Sequence, residues 1–203
     1  MRVLIVFFSR NGHTARLAEA IAEGARSVKG ADVVLRRVDD LAPAEVIASN
    51  AAWKKSHDEL TAKYQQPKVE ELAEADAIIF GTPTRYGNMA AELKLFIDRT
   101  GPQWMQGTFV GKIGSVFCTN STIHSGNEST LLTMMVPLLH HGMIIVGVPQ
   151  TVPETATAGS YYGASATTGA NPNAPTPDDL KVGHIQGQRV AEITAQLLRG
   201  KDK

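Results

Sequence analysis

Residues 9–14, Ser-Arg-Asn-Gly-His-Thr, have the composition of an anion-binding turn. Ser9 and Thr14 bring hydroxyls and Gly12 permits a tight turn, while a helix starting there leaves its first backbone N–H groups unpaired within the helix. Amides and hydroxyls so arranged hydrogen-bond a phosphate without a dedicated lysine. The same residues would also serve a plain capped helix start, and the fragment alone leaves both readings open. Two other phosphate loops are excluded. No Gly-x-Gly-x-x-Gly follows a strand-like run, and Gly107 to Ile113 (GTFVGKI) is one residue short of a P-loop, with Ile113 where Ser or Thr would hold magnesium.

Two further loops carry polar backbone and small side chains. Gly81 to Asn88 (GTPTRYGN) sets Tyr86 and Asn88 in a segment kept open by Gly and Pro, suited to the edge of a flat heterocycle. Thr119 to Gly126 (TNSTIHSG) is similarly small and polar. One anion nest with two ring-edge loops points to flavin mononucleotide (FMN).

The elements that must position these loops follow from apolar patterning. Val3 to Phe8 is a continuous apolar run, as in a strand buried on both faces, and Thr14 to Val28 places Leu17, Ile21, Ala25 and Val28 on one helical face. Val33 to Val38 reads as a second strand near a sheet edge. Arg36-Arg37 within it reads as a solvated face. Residues 39–66 read as irregular structure around one short helix, and Pro67 opens a helix through Ala75. Ala77 to Phe80 is the third strand, stopped by Gly81-Thr82-Pro83. Asn88 is placed to cap a helix carrying Met89, Leu93, Phe96 and Ile97. Ile113 to Cys118 and Met143 to Val148 are strands four and five, separated by a helix from Leu131 to His141 with Pro137 inside and Gly142 at its end. Residues 149–175 show no periodicity, and a loop of that length is usually functional, disordered or part of an assembly. Thr176-Pro177-Asp178-Asp179 starts a final helix to Gly200.

Strands alternating with helices predict an α/β fold, a doubly wound five-stranded parallel sheet with helices on both faces. In such a sheet ligands bind beyond the carboxyl ends of the strands, where the strand order reverses, and all three loops fall there. With 203 residues the chain is expected to form one domain, 1–203, carrying the long loop. Twenty basic side chains balance twenty acidic ones, so no overall field attracts nucleic acid or an anionic membrane. The single Cys118 reads as a core thiol and forms no internal disulfide; with no apolar stretch near the roughly 18 residues of a membrane span, a cytoplasmic protein without membrane insertion is expected. His140-His141 lacks zinc-site spacing, and no metal is assigned. Read alone, that pair complements a helix dipole, and Trp104, near Gly101-Pro102 and Gly107, reads as a pocket residue, with an ordinary half-buried aromatic as the alternative.

The residues also carry a family likeness. Ser-x-Asn-Gly-x-Thr resembles the phosphate loop of flavodoxin-like proteins, and "AIIFGTPTRYGNMAAELKLFIDRTG", "GKIGSVF" and "LLHHGMIIVG" resemble the WrbA family of FMN-dependent NAD(P)H:quinone oxidoreductases. "YYGAS" and "IQGQRVAEI" are weaker matches, and the likeness is least clear over 39–66. The resemblance implies that Ser9, Arg10, Asn11, Gly12, His13 and Thr14 bind the FMN phosphate. Pro83, Thr84, Arg85, Tyr86 and Asn88 would meet the ring and its edge, and Thr119, Asn120, Ser121, Thr122 and His124 the other side of the ring and the ribityl chain. Trp104 would line the substrate pocket, and His140 would approach the flavin across a subunit interface of a homotetramer. His140 and Tyr86 are the candidates for hydrogen bonding to quinone or flavin. Asn11 stands where some relatives have an aromatic that helps place the nicotinamide nucleotide, and 119–122 replaces a more glycine-containing loop.

The activity so implied is two-electron reduction of a quinone: NADH or NADPH gives hydride to FMN and leaves, and the quinone then takes the same face. Two alternatives stay within reach, a flavodoxin-type electron carrier and an FMN-containing regulatory binding protein. Carriers of that kind are usually strongly acidic, and this chain is neutral. A phosphoacceptor receiver domain is excluded, because Ser9-Arg10-Asn11 and Gly81-Thr82-Pro83 stand where its acidic residues belong.

Overall fold

The computed structural model describes residues 1–169 and 174–201. Its parallel sheet has the order β2-β1-β3-β4-β5, formed by β1 (Arg2–Phe7), β2 (Asp32–Arg37), β3 (Ala77–Pro83), β4 (Ile113–Asn120) and β5 (Ile144–Ile145). A sixth short strand, β6 (Ser165–Thr167), also pairs with β4. The order reverses between β1 and β3, so the loops after these two strands face each other across a crevice.

β1 shows why the first run is apolar at every position. Val3, Ile5 and Phe7 point into one layer with α1 (His13–Arg26) and α8 (Pro177–Lys201). Leu4, Val6 and Phe8 point into the other, with α4 (Val69–Glu74), α5 (Ala91–Asp98) and α7 (Asn127–His140). Helices on both faces leave no solvated side for polar residues to alternate onto.

Several expectations are corrected. Residues 39–66 hold two helices, α2 (Ala44–Ala48) and α3 (Ala51–Lys63). α3 buries only Leu60, so it leaves no apolar stripe to read; Asn50 caps it by accepting from Trp53 N at 3.0 Å. The helix after Pro67 spans only Val69–Glu74. β3 does not stop at Gly81 but continues through Pro83, each residue in register with β4 up to Thr119. α5 starts at Ala91 with Ala90, not Asn88, at its N-cap and so lacks a side-chain cap; Asn88 Oδ1 accepts instead from Met89 N and the Thr133 hydroxyl. α7 starts earlier than expected, at Asn127. Arg36-Arg37 is no solvated face: Arg36 grips Glu71 through two nitrogens, and Arg37 is 2% exposed.

The fifth sheet position is divided. β5 pairs only with Ile113 and Gly114, after which the chain leaves the sheet and returns as β6 beside Cys118, Thr119 and Asn120. Across the gap the buried Gln186 of α8 replaces ladder bonds. Its Nε2 donates to Ser115 Oγ (2.7 Å) and Val116 O (2.9 Å), and its Oε1 accepts from Ala164 N (2.7 Å). The stretch read as having no periodicity therefore contains a 3₁₀ turn (Pro153–Ala156) and a strand that ends beside the crevice. Gly142 does end α7 in the left-handed region, at φ 71°.

Candidate functional site

At the carboxyl ends of β1, β3 and β4 lies a hollow lined by Ser9, Arg10, Asn11, His13, Thr14, Pro83, Thr84, Arg85, Thr119, Asn120, Ser121 and Thr168. It shares Thr84, Asn120 and Ser121 with an adjoining open chamber, which adds Tyr86, Gly87, His124, Ser125 and Gly126. The two together form one polar trough over the switch point.

The narrow end is built from α1. Gly12, at φ 85°, is its N-cap residue and supplies no side-chain cap. Ala15 N donates to Ser9 Oγ at 3.3 Å, and Arg16 N returns to Gly12 O at 2.9 Å. The amides of residues 10–14 have no partner among the described residues. Ser9 and Thr14 are buried, and Thr14 Oγ1 shares a hydrogen bond with Thr119 Oγ1 at 2.8 Å, which ties the nest to β4. His13 and Arg16 both donate to the Ala174 carbonyl, at 2.9 and 2.6 Å. Because that carbonyl can only accept, His13 carries its proton on Nδ1.

Charge favours an anion at this end. Arg10 and Arg85 line the same wall. Burial first, and then the Arg10 charge, holds the Arg85 guanidinium below its usual range. A phosphate between them would relieve that repulsion. Arg10 is braced from behind, its guanidinium lying 4.1 Å above the Trp53 ring while Trp53 Nε1 donates to Asp40 at 3.0 Å.

The hinge between nest and chamber is Asn120, 6% exposed. Its Nδ2 donates to Thr122 O at 2.8 Å, which fixes the amide orientation and leaves Oδ1 buried and unpartnered among the described residues. A buried acceptor without a donor is costly, and a ligand that supplies one removes the cost. FMN fits this set: an anion for the amides and guanidiniums, and hydroxyl and ring N–H donors for Asn120.

The chamber wall is a tight turn. Arg85 and Asn88 exchange two backbone bonds of 2.8 and 2.9 Å, with Tyr86 (φ 51°) and Gly87 (φ 73°) at the tip. A tyrosine with positive φ is strained, and here the strain holds a fully exposed ring at the chamber rim. Cys118 beneath is fully buried, and burial pushes its thiol up, away from thiolate reactivity.

Not every expected residue arrives. Gly12, Asn88 and Thr122 lie outside the lining of the trough; Asn88 Oδ1 accepts from Met89 N and Thr133 Oγ1, and Thr122 O accepts from Asn120 Nδ2. His140 and Trp104 line a separate groove with Ile97, Val136 and His141, where Trp104 Nε1 donates to the His140 carbonyl at 2.9 Å. Thr168 was missed. It reaches the trough because β6 pairs with β4, where its N and Oγ1 both donate to Asn120 O at 2.8 Å; a loop without periodicity gave no signal of that. No group of His, Cys, Asp or Glu among the described residues could hold a metal ion, and no helix there is long and apolar enough to cross a membrane.

The family described as NADPH-dependent FMN reductase matches residues 1–157. A protein of Aromatoleum aromaticum named NAD(P)H dehydrogenase (quinone) is 46% identical over 207 residues, covering 99% of each chain. One of Archaeoglobus fulgidus with the same name is 46% identical over 196 residues, covering 97% of this chain and 98% of its own. Among solved structures, the flavodoxin WrbA-like protein from Agrobacterium tumefaciens is similar with a TM-score of 0.68 at 24% identity, over 96% of this chain and 98% of its own, a likeness of fold. The chain belongs to the family described as NADPH-dependent FMN reductase, with a flavodoxin-like fold and with relatives of nearly equal length named NAD(P)H dehydrogenase (quinone).

Proposed function

We propose that the protein is an FMN-dependent NAD(P)H:quinone oxidoreductase, and that the trough from Ser9 to Gly126 is its cofactor and substrate site. The observation that carries this is the continuity of an amide nest, unpaired among the described residues, with an open chamber, hinged on Asn120, whose Oδ1 lacks a partner among those residues. The relatives named NAD(P)H dehydrogenase (quinone), matched over nearly their whole length, support the activity. When bound, FMN supplies hydride acceptance and two-electron delivery, the chemistry side chains lack.

The chain's own residues bind and orient. Ser9, Thr14 and the 10–14 amides take the phosphate, Arg10 and Arg85 neutralise it, and Asn120 accepts from the ribityl side. Tyr86 and His124 flank the open chamber, where nicotinamide and quinone take turns. Anaerobic stopped-flow absorbance of FMN-loaded protein, mixed with NADH or NADPH and then benzoquinone, tests this. Rapid bleaching followed by complete recovery is expected; no bleaching with FMN bound would favour a carrier or binding protein.

We propose further that the protein assembles as a homotetramer in which His140 and Trp104 complete a neighbour's site. Leu132, Val136 and Leu139 form an exposed stripe along α7, continued by Trp104 and Met105 of α6 (Gly101–Met105). An apolar face of this kind marks an interaction surface. His140 lies outside its own trough, so a partner's flavin is the one within its reach. Val136→Glu with Leu139→Glu is expected to yield monomers by sedimentation velocity, whereas an unchanged tetramer would move the interface elsewhere. The single buried cysteine makes no use of an oxidising compartment, which supports a cytoplasmic location.

A further inference from the structure

We infer that Arg37, at the end of β2, is a positioning residue for phosphate recognition: it holds the Ser9 carbonyl and so aims the following amide into the nest. The inference rests on the FMN reading above. Arg37 lies outside the trough's lining and is 2% exposed. It stands beside Phe7 in the β1–β2 register, two residues before Ser9, and Val38 N donates to Phe7 O at 2.8 Å. From there Nε donates to Ser9 O at 3.2 Å, and Nη1 reaches Thr61 Oγ1 at 3.3 Å and Asp39 Oδ1 at 3.5 Å.

The geometry of one peptide unit gives this contact its consequence. The Ser9–Arg10 bond is trans, so its C=O and N–H point in opposite directions. Drawing the carbonyl toward β2 turns Arg10 N–H the other way, to the side where the loop lines the hollow, and that amide has no partner among the described residues. A solvated loop would pay the entropy of fixing this peptide when phosphate binds; here a buried guanidinium has fixed it beforehand. Burying an arginine is unfavourable, and Nη2 remains without a hydrogen-bond partner among the described residues, so stability alone is a poor reason for placing it here.

The test is titration of apoprotein with FMN and with riboflavin, which lacks the phosphate, followed by flavin fluorescence. A residue acting through the nest changes the ratio of the two affinities, whereas a merely structural one shifts both together. Arg37→Met is expected to weaken FMN about tenfold and riboflavin less than about twofold. Arg37→Lys keeps the charge without the planar fork and is expected to weaken FMN about threefold, again sparing riboflavin. Should the Met variant fail to fold by circular dichroism, the Lys variant decides, a lowered ratio supporting the role and an unchanged one overturning it. Equal weakening of both flavins also overturns it. Wild-type protein that binds FMN no more tightly than riboflavin overturns the phosphate nest itself and the role of Arg37 with it.

Discussion

Replacing Ser9 and Thr14 together with alanine is expected to weaken FMN binding about a hundredfold while leaving riboflavin binding within about twofold. Each hydroxyl faces the narrow end of the trough, and a hydrogen bond to a charged phosphate contributes about 1.5 to 3 kcal/mol, so each loss is worth about a factor of ten or more. Ser9 Oγ already accepts from Ala15 N, which leaves its proton for an anion. Thr14 Oγ1 is bound to Thr119 Oγ1, so its removal also loosens the tie to β4. The helix persists without either hydroxyl, because α1 buries nine residues against the sheet and α8. Apoprotein titration with circular dichroism as a fold check decides the matter; FMN affinity unchanged in both single variants and the double would remove the nest from the site.

The second large effect concerns folding. A Cβ on Gly187 would stand 1.8 Å from the Ile21 carbonyl oxygen, and one on Gly24 equally close to the His184 carbonyl oxygen. Both obstacles are backbone, which cannot turn aside as a side chain can. Gly187→Ala must therefore separate α1 from α8 along the seam where they meet, and overpacking of this kind costs about 3 kcal/mol. For a chain of this size that lowers Tm by roughly 6 to 12 °C. Gly200→Ala on the same helix is the control, since nothing lies within 4 Å of its Cβ. Calorimetry showing equal Tm for the two variants would mean that the helices slide apart freely.

Much of this architecture was legible in local pattern. The apolar runs of β1, β3 and β4 were read where they stand, because burial on both sides of a parallel sheet leaves a continuous signal, and Leu17, Ile21 and Ala25 of α1 and Leu93, Phe96 and Ile97 of α5 are buried as expected. The turn into α1 was legible too, since Ser9, Gly12 and Thr14 mark a helix start within six residues and Gly12 stands there at φ 85°. α3 was not, because a helix that buries one leucine has no stripe. Arg37 was misread for the complementary reason: a charged side chain in an edge strand looks solvated until its hydrogen-bond partners are known, and those lie 28 and 24 residues away.

The five-position sheet, its doubly wound order and the polar turn before α1 follow from patterning over a few residues at a time, and the family likeness adds the flavin and the quinone. Tertiary structure alone decided which polar groups are left wanting a partner. Among the described residues, Asn120 Oδ1 is an acceptor without a donor, while Thr122 holds its Nδ2 and Thr168, arriving on β6, holds its backbone carbonyl. His140 leaves its own trough only because α7 packs its final turn beside α6. Satisfaction of a hydrogen bond is a property of three-dimensional neighbours, whereas burial periodicity belongs to the chain, and that difference separates what the residues announced from what folding had to arrange.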